Sequence, residues 1–120
     1  MRRGDVVLVS LDPALPGEAA KLRPCVLVSN DGANGVPERL GRGVVTVVPI
    51  TSNVSRVYPN FEVGVLEPDA LSSMGLKVPS KVQASQLRAV SVARLSGAIG
   101  HCPAVVLVEL DAAIRFHLSL

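Results

Sequence analysis

A chain of 120 residues with 48% apolar composition, a formal net charge of +2 and three aromatic residues is long enough for one domain of residues 1–120 and too short for two. The small charge excess excludes a strongly cationic nucleic-acid coat, and the single Tyr and two Phe, with no Trp, exclude an extended base-stacking platform. Between Arg2 and Arg56 the basic residues Arg2, Arg3, Lys21, Arg23, Arg39, Arg42 and Arg56 outnumber Asp5, Asp12, Glu18, Asp31 and Glu38, which allows a mildly basic groove. The two cysteines, Cys25 and Cys102, lack metal-type spacing and read as buried free thiols. Met1-Arg2-Arg3 starts like an export signal, yet the apolar run that follows, Val6 to Val9, is too short for export or for a membrane span, and the sequence predicts a cytoplasmic protein.

Val6 to Leu11 reads as a first strand closed by Asp12-Pro13. Residues 12–22, with Pro13, Pro16 and Gly17, form a connection longer than a hairpin needs. A second strand runs from Pro24 to Ser29 and stops at Asn30-Asp31-Gly32, a turn signal, and residues 30–42, rich in glycine, read as a mobile loop. Val44 to Ile50 is almost uninterrupted apolar sequence, as expected of a central strand buried on both faces, with Pro49 near its end because proline cannot donate to an inner ladder. Phe61 to Leu66 is a fourth strand and Lys81 to Leu87 a weaker one. Ser91 to Arg94 suits a helical turn, and Leu95 to Gly100 a last strand.

The stretch from Pro103 to Leu118 is the one helix of useful length, with Pro103 suited to its start and Asp111 with Arg115 spaced as an i, i+4 pair. At 100° per residue, Val105, Val108, Ala112 and Phe116 form one stripe and Leu107, Leu110, Ile114 and Leu118 another. A helix on the outside of a small sheet buries only one face by itself, which predicts that a second subunit covers the other. The pattern is a β-rich α+β fold: a small SH3-like, strongly curved antiparallel sheet or partly open barrel with a C-terminal helix.

Arg23 opens the second strand and Thr51 closes the third. If these strands pair antiparallel, the two side chains meet. A guanidinium offers a planar fork of donors to phosphate oxygens, and threonine adds a hydroxyl; Ser52 and Asn53 extend the polar set. Plainer readings exist: Arg23 paired with Glu18 or Asp12, and Thr51 capping a turn. Lys21, Asn53, Arg56 and Tyr58, on the flanking loops at 12–22 and 51–60, are further candidates for ligand contact, although each reads more readily as a solvated loop residue. His101 and His117 are potential proton shuttles, but they precede or lie on the terminal helix, away from the strand ends.

Gly4-Asp5-Val6-Val7, Gly17-Glu18 followed by Arg23-Pro24, Val48-Pro49-Ile50-Thr51-Ser52, and Gln86-Leu87-Arg88 ahead of Arg94-Leu95 and Ile99-Gly100 together resemble the MazF/PemK family of toxins, in register from about residue 3 to the C-terminus. The resemblance implies the toxin of a type II toxin–antitoxin pair. Such a toxin is a homodimeric endoribonuclease that cuts single-stranded RNA, with mRNA, rRNA and tRNA all open as targets, at short preferred sequences. It uses no metal or other cofactor, stops translation and growth, and is held by a MazE-like antitoxin lying in the same groove.

The family's strand-opening Arg corresponds to Arg23 and its Thr to Thr51. Where members often carry Glu-Gln, this chain has Glu18-Ala19. Where some place a basic residue and an Asp just before the residue matching Gln86, it has Gln83 and Ser85, neither an ordinary base. The general base is left open among Arg23, Glu18 and water. Two other readings are a gyrase inhibitor of the CcdB type, which shares the architecture but relies on a C-terminal Trp absent here, and a catalytically inactive RNA- or protein-binding module.

Overall fold

The computed structural model describes residues 1–120 and contains seven strands and three α-helices. The strands are β1 (Asp5–Ser10), β2 (Leu22–Leu27), β3 (Val44–Thr51), β4 (Glu62–Val65), β5 (Ser80–Gln83), β6 (Arg88–Ser91) and β7 (Leu95–His101). The helices are α1 (Asp31–Leu40), α2 (Pro68–Met74) and α3 (Ala104–Leu118), and short 3-10 turns occupy Ala84–Gln86 and Val92–Arg94. All pairings are antiparallel, in the order β4-β5-β3-β2-β1-β7, with β6 also on β3, and the sheet does not close.

Alternation along the strands divides the core in two. Val6, Val26, Val48, Ile50, Val63, Val65 and Val82 pack with Leu71 and Met74 of α2 and Val106, Leu110 and Ala113 of α3. Their neighbours in sequence, Val7, Val9, Cys25, Leu27, Val45 and Val47, pack with Leu11 and Val90 in a second cluster. β3 therefore faces apolar side chains on both sides, which is why its sequence is nearly continuous in valine. One edge of β3 pairs with β2, while the other pairs first with β6, through Val47 opposite Arg88, and then with β5, from Ile50 opposite Val82. Pro49, expected near the strand end, lies in the short stretch between those two partners.

Three segments differ from expectation. Residues 31–40 are a helix rather than a mobile loop. The Asn30 side chain caps it by accepting from the Ala33 N–H at 2.7 Å, and Gly41 ends it in the left-handed region at φ 67°. Polar anchors from elsewhere outweigh Gly32, Gly35 and Pro37: buried Asn34 exchanges hydrogen bonds with Ser29, Asp31 accepts from the Arg3 backbone N–H, and Glu38 accepts from the N-terminal ammonium. Residues 68–74 form α2, with Pro68 in its first turn and Gly75 at its end, and residues 80–91 divide into two strands around a 3-10 turn. The C-terminal helix runs Ala104–Leu118 as expected, but Asp111 pairs with Arg3 at 2.6 Å rather than with Arg115. Leu110 is fully buried, whereas Val105, Val108 and Phe116 are 64%, 67% and 52% exposed. No helix is long and apolar enough to cross a membrane.

α2 crosses β7 at backbone contact. A Cβ on Gly75 would lie 2.3 Å from the Ile99 carbonyl oxygen, and one on Gly100 would lie 2.4 Å from the Met74 carbonyl carbon. Overpacking of this kind costs about 1–3 kcal/mol, and at the upper end where backbone must give way. Gly100→Ala is expected to lower the unfolding free energy by about 3 kcal/mol in urea titration; an unchanged midpoint would contradict so tight a crossing.

Candidate active site

β2 and β3 pair with Cys25 opposite Pro49, and the same register carried two residues further sets Arg23 opposite Thr51. Directly opposed residues share a face of the sheet. Both side chains are half-buried and line one cavity of about 320 Å³, with Ser52 beside them. Leu8, Leu22, Pro24 and Ile50 form its apolar wall, and the segment after α2, from Gly75 to Val78, closes the opposite side.

Arg23 forms no ion pair. Its Nε donates to the Ala20 carbonyl at 2.8 Å, which leaves Nη1 and Nη2 without a partner in the protein. Thr51 Oγ1 accepts from the Asn53 N–H at 3.2 Å, so the hydroxyl caps the turn and keeps its own proton to donate. Lys77, which the sequence reading passed over, also lines the cavity, and no carboxylate or imidazole does. Its signal in the sequence was weak: a lone lysine after Gly75-Leu76, with nothing local to relate it to Arg23. Two cations and the hydroxyl residues Thr51, Ser52 and Ser80 line one small volume and make an anion-selective site. A larger cavity of about 510 Å³ between α2 and the start of α3 is lined by Glu67 and Asp69 and by no cation, which suits a phosphodiester badly.

The other candidates lie around this site rather than in it. Glu18 accepts from the Leu15 N–H at 2.7 Å, stabilising its own loop. Lys21 is exposed with φ 68°, and its N–H donates to Asp12. Gln86 spans to the same loop, donating from Nε2 to the Gly17 carbonyl at 3.0 Å and accepting from the Ala19 N–H. Gln83 pairs with Glu62 at the end of β5, and Ser85 is exposed on the 3-10 turn. Asn53 organises the next turn through Ser55, and Arg56 donates to the Tyr58 hydroxyl. Lys81 is a second residue that sequence reading missed: its ammonium is buried and donates to Glu62 at 3.0 Å and to the Arg56 carbonyl at 2.5 Å.

Cys25 and Cys102 are free and buried, and burial pushes both thiols up to about 12, so neither supplies a thiolate near neutral pH. No three His, Cys, Asp or Glu side chains come together as a cation site. His117 is exposed on α3. His101 contacts Asp5 through Nδ1 at 2.8 Å, outside the cavity lining.

The class these features define is a small curved-sheet protein with an anion site at the junction of two central strands. The sequence model of the family described as PemK-like, MazF-like toxin of type II toxin–antitoxin systems matches residues 2–118. The chain belongs to that family. Endoribonuclease MazF9 of Mycobacterium tuberculosis is 48% identical over 120 residues, covering 100% of this chain and 98% of the relative. The crystal structure of MazF from Deinococcus radiodurans superposes with a TM-score of 0.78 at 25% identity, covering 100% of this chain and 97% of that one. A mycobacterial endoribonuclease in complex with its cognate antitoxin shares the fold, with a TM-score of 0.74 at 19% identity over 100% and 96% of the two chains.

Burial alone would raise the Asp5 carboxyl, but the Arg2 backbone N–H, the His101 ring and nearby positive charge outweigh it and hold the group below its ordinary 3.8. A depressed carboxylate contributes stability above its unfolded pKa and loses it as pH falls through the folded one. Unfolding free energy should therefore fall below about pH 4, and Asp5→Asn should flatten that part of the profile. An identical acid limb in the variant would show that this contact is not responsible.

Proposed function

We propose that the chain is the toxin of a type II pair and an endoribonuclease of single-stranded RNA, whose residues 1–120 act as one domain and whose reaction is carried by Arg23 and Thr51. The observation that supports this most directly is the carboxylate-free cavity in which an unpaired guanidinium and a donating hydroxyl stand on opposed residues of β2 and β3.

The ribose 2′ oxygen bonds to the adjacent phosphorus while the P–O5′ bond breaks, leaving a 2′,3′-cyclic phosphate and a 5′-OH. The 2′ proton passes to water, since Glu18 is engaged within its loop and the cavity wall holds no ordinary base. Arg23 stabilises charge on the non-bridging oxygens, with Lys77 adding a second cation. Thr51 donates to the departing 5′ oxygen, which takes its proton from solvent. All of this proceeds by pre-organised electrostatics, without a metal. The partly acidic, extended segment of an antitoxin fits the same basic groove, and cleavage of cytoplasmic RNA accounts for growth inhibition. A gyrase inhibitor is not favoured, because the chain matches the MazF-like family along residues 2–118 and its 48% identical relative is an endoribonuclease.

Purified protein incubated with a long single-stranded RNA and EDTA should cut at a recurring short motif, with cyclic phosphate and 5′-OH ends. Arg23→Ala and Thr51→Ala should each lose about a hundred- to a thousand-fold in rate while keeping the wild-type circular dichroism spectrum. Near-wild-type cleavage by either variant would remove that residue from the mechanism.

The exposed stripe of α3 is the surface on which a second copy docks, and the protein acts as a homodimer. Sedimentation at micromolar concentration should give the dimer, and Val108→Glu should shift it toward monomer; a wild-type monomer would overturn this assignment.

A further inference from the structure

Of the three aromatic residues, two are spent on each other: Phe61 and Phe116 stack edge to face with centroids 5.1 Å apart. Tyr58 has no aromatic partner and is 50% exposed. It is nevertheless held from several directions. Its N–H donates to Glu62 at 2.9 Å, and its hydroxyl accepts from Arg56 Nη1 at 3.1 Å. The Arg56 guanidinium lies 5.6 Å and the Lys81 ammonium 6.0 Å from the ring centroid.

Lys81 decides where that ring stands. Its side chain is 10% exposed and that of Glu62 is 6% exposed, and the two form an ion pair at 3.0 Å. The same ammonium holds the Arg56 carbonyl, so one buried cation fixes the loop on both sides of Tyr58. Lys81 is also directly opposite Thr51 in the β3–β5 pairing, on the same face and about 4.8 Å away across the sheet. The ring thus lies within reach of a nucleotide flanking the linkage held at Thr51.

We infer that the exposed ring of Tyr58 is a stacking seat for one unpaired base of the RNA, with Lys81 and Glu62 as the positioning pair that holds it. The inference rests on the RNA reading above. Stacking tolerates any base, so this seat adds affinity and sets the path of the strand rather than the sequence cut.

Tyr58 is the sole tyrosine and there is no tryptophan, so tyrosine emission reports this ring alone. Short 2′-O-methylated homo-oligonucleotides of A, C and U lack the attacking hydroxyl, and binding is read whether or not the protein cuts RNA. Titration should change the emission saturably in the wild type; with Kd read for all variants from the fluorescence anisotropy of a 5′-fluorescein label on the oligonucleotide, Tyr58→Ala should weaken Kd about tenfold or more and Tyr58→Phe should restore it. Lys81→Met should weaken the same Kd, and Lys81→Arg should recover it. Unchanged emission at saturation, absence of binding, or wild-type Kd in Tyr58→Ala would overturn the seat, and wild-type Kd in Lys81→Met would overturn the positioning role. A protein that cuts RNA but fails this titration loses only the seat; one that passes it but leaves RNA intact keeps the seat and loses the scission chemistry.

Discussion

β3 is buried on both faces and shared among three partner strands, and the position of the site follows from that. Val45 and Val47 belong to one cluster, Val48 and Ile50 to the other. A slip of one residue would exchange the two sets and break both packings, so the register has no nearby alternative. Thr51 is the last residue of this strand, and its location relative to Arg23 is therefore set by hydrophobic packing several residues away rather than by any contact between the two.

The segment from Ser80 to Gln86 plays the complementary part. Its strand, β5, covers the end of β3, and side chains from it and from the following turn reach opposite loops. Lys81 holds residues 56–62 and Gln86 holds residues 17–19. Arg94 adds to this by donating to the carbonyls of Ser10 and Asp12 where the first loop begins. The neutral Gln86 hydrogen bonds are worth about 0.5–1.5 kcal/mol each net and those from a charged donor about 1.5–3 kcal/mol, so the Lys81 side holds its loop more firmly. The walls of the cavity are thus built on the sheet, while the loops at its rim are tied in by side chains from β5 and the turn after it.

Charge is sorted by the fold more sharply than composition suggests. A net charge of +2 is spread over the chain, yet one cavity is walled by Arg23 and Lys77 with no acid and another by Glu67 and Asp69 with no base. Low-dielectric walls strengthen such separation, so a weakly basic protein can still present a locally selective anion site.

Strand positions were legible because period-two alternation is local: the apolar runs at Val6, Cys25, Val44 and Leu95 each mark a strand with bounds shifted by one or two residues. The antiparallel pairing of β2 with β3, which brings Arg23 and Thr51 to one cavity, was legible for the same reason, since both sit at the ends of such runs and neighbouring strands tend to pair. The helix at residues 31–40 was not, because glycine and proline speak against it locally and its anchors, Arg3, Ser29 and the N-terminus, come from other segments. Lys77 and Lys81 are equally silent in sequence; one lines a cavity shared with Arg23 and Thr51, and the other becomes a buried tether through contacts with residues 19 or more positions away. By itself the sequence determined where strands run and which polar groups end them. The tertiary structure alone decided which loops meet those ends and which lysines serve them, because burial and ion pairing depend on distances in space that no local periodicity encodes.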